Sequence, residues 1–272
     1  VRDPVGEEGD RLTTTTLAKL AAAGIPPDGD PFETFQQLCS ARGRECSGLD
    51  LYVLVARARG VTAAELPRAE RRALALRACG LMFAGFESTG GADVRPFEPI
   101  EIAPYDDAWP VRYERWRGAL VEAVGSPPIL RVEHVGSTSV PGLPAKPVVD
   151  VQVSVAEPAE ESTYVPPIER LGLQLHSRDD DHRFFRPVPG RPRDVHVHVT
   201  QRGSRWEREH LLFRDFLRAD ADARTDYAAT KRRAAVVWRD DRFAYTEAKS
   251  GVILAILDGA ERWAAATGWG VR

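Results

Sequence analysis

Residues 135 to 153 constrain this chain more than any other stretch. They read Val135-Gly136-Ser137, then twelve residues, then Asp150-Val151-Gln152-Val153. The run from Val148 to Val155 is β-branched and nearly continuous, as suits a buried central strand. A Gly-Ser pair on a tight turn lets backbone N–H groups and a hydroxyl approach a phosphate closely. The strand that follows puts Asp150 and Gln152 on one face, because side chains repeat every second residue. Carboxylates there would hold a divalent cation that bridges triphosphate oxygens. A lone Gly-Ser is usually a plain connection between strands; the spacing to the Asp-bearing strand gives it weight.

Around this segment the second half of the chain alternates strands and helices. Asp107 to Val124 predicts an amphipathic helix, with Trp109, Tyr113, Trp116 and Leu120 along one side. Leu130 to Val135, Leu173 to His176, His182 to Pro187 and Asp194 to Thr200 read as further strands, with a short helix from Pro166 to Leu171. Arg205 to Arg218, Ala221 to Trp238 and Asp241 to Ala266 read as helices. The expected class is α+β, with a small mixed β-sheet flanked by helices.

The first 95 residues have another character. Leu17, Leu20 and Ala21 begin an apolar helical stripe that breaks at Gly24 and Pro26-Pro27. A second helix starts after Asp30 with Pro31 at its first position. Leu49 to Ala56 follows helical spacing, Thr62 to Glu65 fits a capping box, and Arg68 to Ala78 forms an Ala- and Arg-rich helix. No chemical motif stands out here. Glu87 to Pro99, with Ser88, Thr89, Gly90, Gly91 and Pro96, reads as a linker. The expected domains are therefore 1–95, a helical module, and 96–272, the sheet domain.

Composition narrows the class of partner. With 37 basic and 40 acidic residues the net charge is −3, which disfavours a bulk nucleic-acid binder. The apolar runs fall far short of the roughly 20 residues that span a bilayer, and the start lacks the basic-then-apolar order of a signal peptide. Three cysteines, Cys39, Cys46 and Cys79, are an odd number without framework spacing, and are read as reduced core thiols of a cytoplasmic protein.

The stretch Glu133-His134-Val135-Gly136-Ser137-Thr138-Ser139-Val140-Pro141-Gly142-Leu143-Pro144-Ala145-Lys146-Pro147-Val148-Val149-Asp150 closely resembles the signature of the GrpB family. Further landmarks fall in order. They are Ile102 to Pro110, Val195-His196-Val197-His198-Val199, and His210 to Arg218. Tyr227 with Lys231, and Tyr245 with Lys249, follow. The resemblance covers roughly residues 98 to 266 and implies the nucleotidyltransferase fold. The family is also found fused to dephospho-coenzyme A kinase, where the domain has been regarded as a folding accessory. No Gly-x-x-x-x-Gly-Lys-Ser/Thr loop occurs in this chain, so the kinase itself is not present in it.

The candidate site follows from both lines of reading. Gly136 and Ser137 cradle phosphate, and Lys146 or Arg183 neutralises charge; Arg214 and Lys249 enter as anion-binding candidates through the family match alone. Asp150 and His198 are the catalytic candidates. Asp150, Gln152 and Asp194 are the candidate metal ligands, with Mg²⁺ (or Mn²⁺) as the ion and an NTP as donor. Arg183 and Arg186 lie three apart on a strand, so at most one faces the site. His134 is expected to pack beneath the Gly-Ser turn.

Two function classes compete. The first is a metal-dependent nucleotidyl- or phosphoryltransferase with a small-molecule or protein acceptor. The second is an inactive nucleotide- or partner-binding module on the same scaffold, favoured by Gln152 standing where an acid would. A zinc hydrolase built on His196 and His198 is a third reading, and it needs further ligands.

Overall fold

The structure is a computed structural model that describes residues 4–89 and 99–271. Its elements in chain order begin with α1 (Pro4–Ala23), α2 (Pro31–Arg42), α3 (Gly48–Ala58), α4 (Arg68–Met82) and β1 (Glu87–Ser88). Next come α5 (Ala108–Val124), β2 (Ile129–Val135), β3 (Val149–Val155), α6 (Val165–Arg170), β4 (Leu173–Arg178), β5 (His182–Pro187) and β6 (Val195–Gln201). The chain ends with α7 (Arg205–Ala219), α8 (Ala221–Val237), α9 (Arg242–Glu247) and α10 (Ser250–Thr267). Short 3₁₀ turns lie at Gly43–Glu45, Ala63–Glu65, Ser137–Ser139 and Glu161–Thr163. The single helix expected from Asp241 to Ala266 is instead two, α9 and α10. Among the described residues no helix is long and apolar enough to cross a membrane.

The chain packs as two compact units that do not follow residue order. One contains residues 4–84, 99–100 and Ala229–Leu254; the other contains 85–89, Glu101–Ala228 and 255–271. Division near residue 95 thus separates the first four helices from a C-terminal stretch that packs with them. The expected linker also differs: Glu87 and Ser88 pair with Arg178 and Ser177 as an antiparallel edge strand. Gly90, Gly91 and Pro96 of that linker lie outside the described residues.

In the helical unit, local chemistry sets the helix starts. Asp30 caps α2, its side chain accepting the N–H groups of Phe32 and Glu33, with Pro31 at the first turn where no donor is missed. Ser47 and Asp50 form a capping box for α3, and every residue from Leu49 to Ala56 is buried. Asp50 does more than cap. Its carboxylate accepts from Thr16 Oγ1 at 2.7 Å, Lys19 Nζ at 2.7 Å and Ser47 N at 2.8 Å. The segment from 229 to 254 is tied in by polar groups as well. Arg71 pairs with Asp240 at 2.8 Å and with Asp241 at 3.1 Å. Glu247 accepts the Gly48 N–H at 2.6 Å and the Ser47 hydroxyl at 3.2 Å.

One expectation is corrected here. Cys39 and Cys46 are joined as a disulfide, and are not two reduced thiols. Gly43, at φ +49°, ends α2, and the following 3₁₀ turn folds the chain back until the two Cα atoms stand 5.1 Å apart. Cys79 takes no part in that disulfide and is half-buried.

The second unit is built on a six-stranded sheet in the order β1-β4-β5-β6-β3-β2. The pair β3·β6 is parallel and its neighbours are antiparallel, so the sheet is mixed as expected. Val149, Val151, Val153 and Val155 on β3, with Val195, Val197 and Val199 on β6, line the apolar core. Trp109, Tyr113 and Leu120 of α5 and Ile168 of α6 belong to the same core. The opposite face of these strands carries polar side chains.

Removing the Asp50 carboxylate leaves the Lys19 ammonium without its buried partner and Thr16 without an acceptor. Asp50→Ala is therefore expected to lower stability by about 3 kcal/mol. Urea unfolding reads this as a lower midpoint at unchanged slope.

Candidate functional site

The parallel register sets Asp150 beside His196 and Gln152 beside His198. On the flanking strands Val135 pairs with Asp150 and Glu133 with Gln152, while Phe184 pairs with His198. All of these side chains share the polar face. Asp150 Oδ1 lies 3.1 Å from His196 Nδ1 and 3.7 Å from His198 Nε2. Each of the three side chains keeps about a fifth to a quarter of its surface exposed, so a small ligand can reach them. They are the one group of three or more metal-ligating residues found among the described residues, their donor atoms all lying within 4.8 Å of one another.

Burial by itself would raise the Asp150 pKa. The His196 hydrogen bond and the nearby His198 ring outweigh it and hold the carboxyl below its usual range. Burial lowers the His196 pKa against the pull of Asp150, and the Lys146 charge pushes the same way. The centre is thus a carboxylate hydrogen-bonded to the His196 ring, with a lysine charge nearby.

The Gly-Ser turn meets this carboxylate directly. Gly136 sits at φ +69°, and a Cβ built there would lie 2.2 Å from Asp150 Oδ2. Glycine is required twice over, by the left-handed backbone and by the approach of Asp150. The 3₁₀ turn Ser137–Ser139 follows, closed by Ser139 N–H and Oγ donating to the Gly136 carbonyl at 3.2 and 2.6 Å. Tyr227 is hydrogen-bonded to Ser137, and burial pushes its pKa up to about 12.

A wall of stacked rings closes one side. His198 Nδ1 lies 2.9 Å from His182 Nε2. His182 stacks on Trp206 at 4.8 Å between centroids, and Trp206 on His210 at 3.5 Å. Phe184 lies edge-on to His196 at 5.0 Å. Helix α7 brings Trp206 and His210 to this place because its start is fixed to the sheet. Ser204 caps it, and buried Glu207 accepts the Ser154 hydroxyl at 2.5 Å and the Gly203 N–H at 2.6 Å.

The structure brings together Gly136, Ser137, Lys146, Asp150, Gln152 and His198. The other candidates are engaged in contacts of their own. Arg183 alternates onto the core side, where it pairs with Glu161 at 2.6 Å and donates to the Asp179 carbonyl. Arg186 is the member of that pair that shares a face with Phe184. Arg214 is occupied by Glu133 and Asp215, each at 2.7 Å, and works as a tie between α7 and β2. Lys249 belongs to the helical unit, 4.4 Å over the Tyr245 ring. The Asp194 carbonyl accepts the Val149 N–H, and His196 takes the place expected for Asp194 in the ligand cluster. His134 packs as expected, stacked on Tyr113 at 4.7 Å with Nε2 3.0 Å from Thr138 Oγ1. His182, Trp206 and His210 were not among the sequence candidates. The one signal for His182 was its even spacing from Phe184 on a predicted strand.

Two outcomes follow. Gly136→Ala forces a left-handed alanine and displaces Asp150, so a loss of at least about 1 kcal/mol in urea unfolding is expected, from the backbone alone. Burial depresses the His134 pKa from 6.5 to about 4, so the fold keeps this ring neutral while the unfolded chain takes up a proton below pH 6.5. Its stabilising contribution is full above that pH and is lost as pH falls towards 4. Between about pH 7.5 and 5, wild type should lose about 2 kcal/mol more stability than His134→Asn.

Comparison with known proteins places the site in a family. The family described as GrpB protein matches residues 99–259. A UPF0157 protein of Streptomyces coelicolor is 46% identical over 157 residues, covering 58% of this chain and 82% of its own. A dephospho-CoA kinase of Mycolicibacterium paratuberculosis is 33% identical over 199 residues, covering 63% of this chain but 48% of its own. The crystal structure of the conserved protein GrpB from Enterococcus faecalis superposes with a TM-score of 0.53 at 30% identity. It covers 60% of this chain and 99% of that one. The helices before residue 99 lie outside the family match. With the signature turn, the Asp150 strand and the His196–His198 strand all inside the matched region, the chain belongs to the GrpB family.

Proposed function

We propose that this protein is a nucleotidyl- or phosphoryl-group transferase that takes an NTP at the Gly136–Ser137 turn, with a small molecule or a protein side chain as acceptor. One observation carries the reading. The turn at φ +69° lies so close to the Asp150 carboxylate that no side chain fits between them. A phosphate seated on that turn would lie beside the acid, and the Lys146 charge already acts on the neighbouring His196. Asp150 and His198 form the reacting centre; Gly136, Ser137 and Lys146 hold the phosphate end. The mycobacterial relatives named dephospho-CoA kinase add support, since a related region accompanies a nucleotide-handling activity in those chains.

The ion implied by the scaffold is Mg²⁺. Magnesium prefers an octahedron of oxygens, and Asp150 is the sole carboxylate in the cluster beside two imidazoles. That donor set does not fit Mg²⁺. The same single carboxylate, with Gln152 in the place of a second acid, is what supports the alternative of a non-catalytic nucleotide-binding module.

Calorimetric titration with ATP, GTP, CTP and UTP, with and without divalent ion, tests the proposal. Saturable binding is expected for at least one nucleotide, weakened at least about tenfold in Lys146→Ala and, where it depends on a divalent ion, in Asp150→Asn. No binding under any condition would overturn it.

A further inference from the structure

We infer that Asp150, His196 and His198 form a binding site for one borderline transition-metal ion of the zinc class. The inference does not rest on the nucleotide reading. Three observations meet at this point.

The first is spacing. Two ligands each about 2.0–2.1 Å from a tetrahedral zinc stand about 3.3 Å apart. The carboxylate oxygen lies 3.1 Å from one imidazole nitrogen and 3.7 Å from the other, on either side of that value. Imidazole nitrogen with carboxylate oxygen suits Zn²⁺, Co²⁺ or Fe²⁺, and is a poor set for Mg²⁺.

The second is orientation. The ring nitrogen of His198 that faces Asp150 is Nε2, and its Nδ1 is engaged 2.9 Å from His182 Nε2. A ligating histidine ordinarily has its other ring nitrogen held by a partner, which fixes the tautomer and the plane of the ring. Here the partner is another imidazole, itself fixed by stacking on Trp206.

The third is an unanswered polar group. Gln152 is completely buried, and neither its carboxamide oxygen nor its nitrogen has a hydrogen-bond partner. A buried amide left so is costly, and native structures seldom keep one without a reason. Gln152 follows Asp150 by two residues on the same face and pairs with His198 across β3·β6. A metal with three protein ligands keeps a position open for water or a substrate oxygen. A bound water in that position would give the carboxamide its partner.

The test uses the full chain without nucleotide, so its failure and that of the NTP titration are read separately. Under non-reducing conditions, Zn²⁺ titration should give one ion per chain. His196→Ala and His198→Ala should each weaken binding at least about hundredfold, with circular dichroism confirming that the variants stay folded. His182→Phe, which retains a ring against Trp206 and removes the nitrogen facing His198, should weaken it about 10- to 100-fold. Co²⁺ bound to the wild-type chain should show the intense visible bands of four- or five-coordination and resist millimolar Mg²⁺. That measurement needs no variant. Stoichiometric Zn²⁺ retained by the double variant His196→Ala/His198→Ala would overturn the assignment. So would a weak octahedral Co²⁺ spectrum, or displacement of Co²⁺ by Mg²⁺.

Discussion

The parallel pairing of β3 with β6 is the constraint on which the rest of the sheet unit depends. It sets the valines of both strands on one face as core and leaves Asp150, Gln152, His196 and His198 together on the other. A slip of one residue would send the Asp150 carboxylate of β3, or the two imidazoles of β6, into the apolar layer and bring that strand's valines out. The cost of burying that carboxylate or those polar rings without partners fixes the register firmly. The same arithmetic of two residues per repeat therefore specifies the fold and assembles the candidate centre.

A polar sheet face half-covered by a helix needs its groups satisfied, and α7 meets that need through its own charged side chains. Glu207 fastens the start of the helix to β3 through Ser154 and to the preceding loop through Gly203. Arg214 fastens the middle to Glu133 and to the His134 carbonyl, and Arg218 donates twice to the Ser139 carbonyl. Between these ties the helix presents Trp206 and His210 to the histidines of the sheet. Arg214, which from sequence looks like an anion-binding group, is thus used with Arg218 to hold the wall of the site in place. Charge-assisted hydrogen bonds suit that task, because they are directional as well as strong.

How much was legible beforehand varies with the range of the interaction. Helix starts at Asp30–Pro31 and Thr62, the strands at Val149 and Val195, and the Gly136 turn are all decided within a few residues, by caps, by β-branching and by left-handed backbone. They are readable from the chain. Arg183 was misplaced for a different reason. Periodicity says that Arg183 and Arg186 face opposite ways, but not which of them faces Asp150; that depends on how β5 pairs with β6. The Cys39–Cys46 pair escaped notice because its approach is made by a 3₁₀ turn after Gly43, and no cysteine spacing announces such a turn. The segment 229–254 was assigned by its position in the chain. Its packing with the first helices is made by Arg71, Gly48 and Ser47, which lie at least 158 residues earlier than Ala229.

Local pattern by itself was enough to establish an α+β chain with a phosphate-type turn, an Asp150 strand a dozen residues later, a His196–His198 strand and a separate helical beginning. Composition added the absence of any long apolar span or basic excess. Three-dimensional packing settled which groups share the centre: His196 in place of Asp194, with His182 and Trp206 behind His198, while Arg183 turns to Glu161 and Arg214 to Glu133 and Asp215. The reason is physical. Caps, turns and strand periodicity are decided by neighbours along the chain. The meeting of one ring nitrogen with one carboxylate oxygen is decided by strand register and by the side chains that pin each ring, and these come from segments distant in sequence.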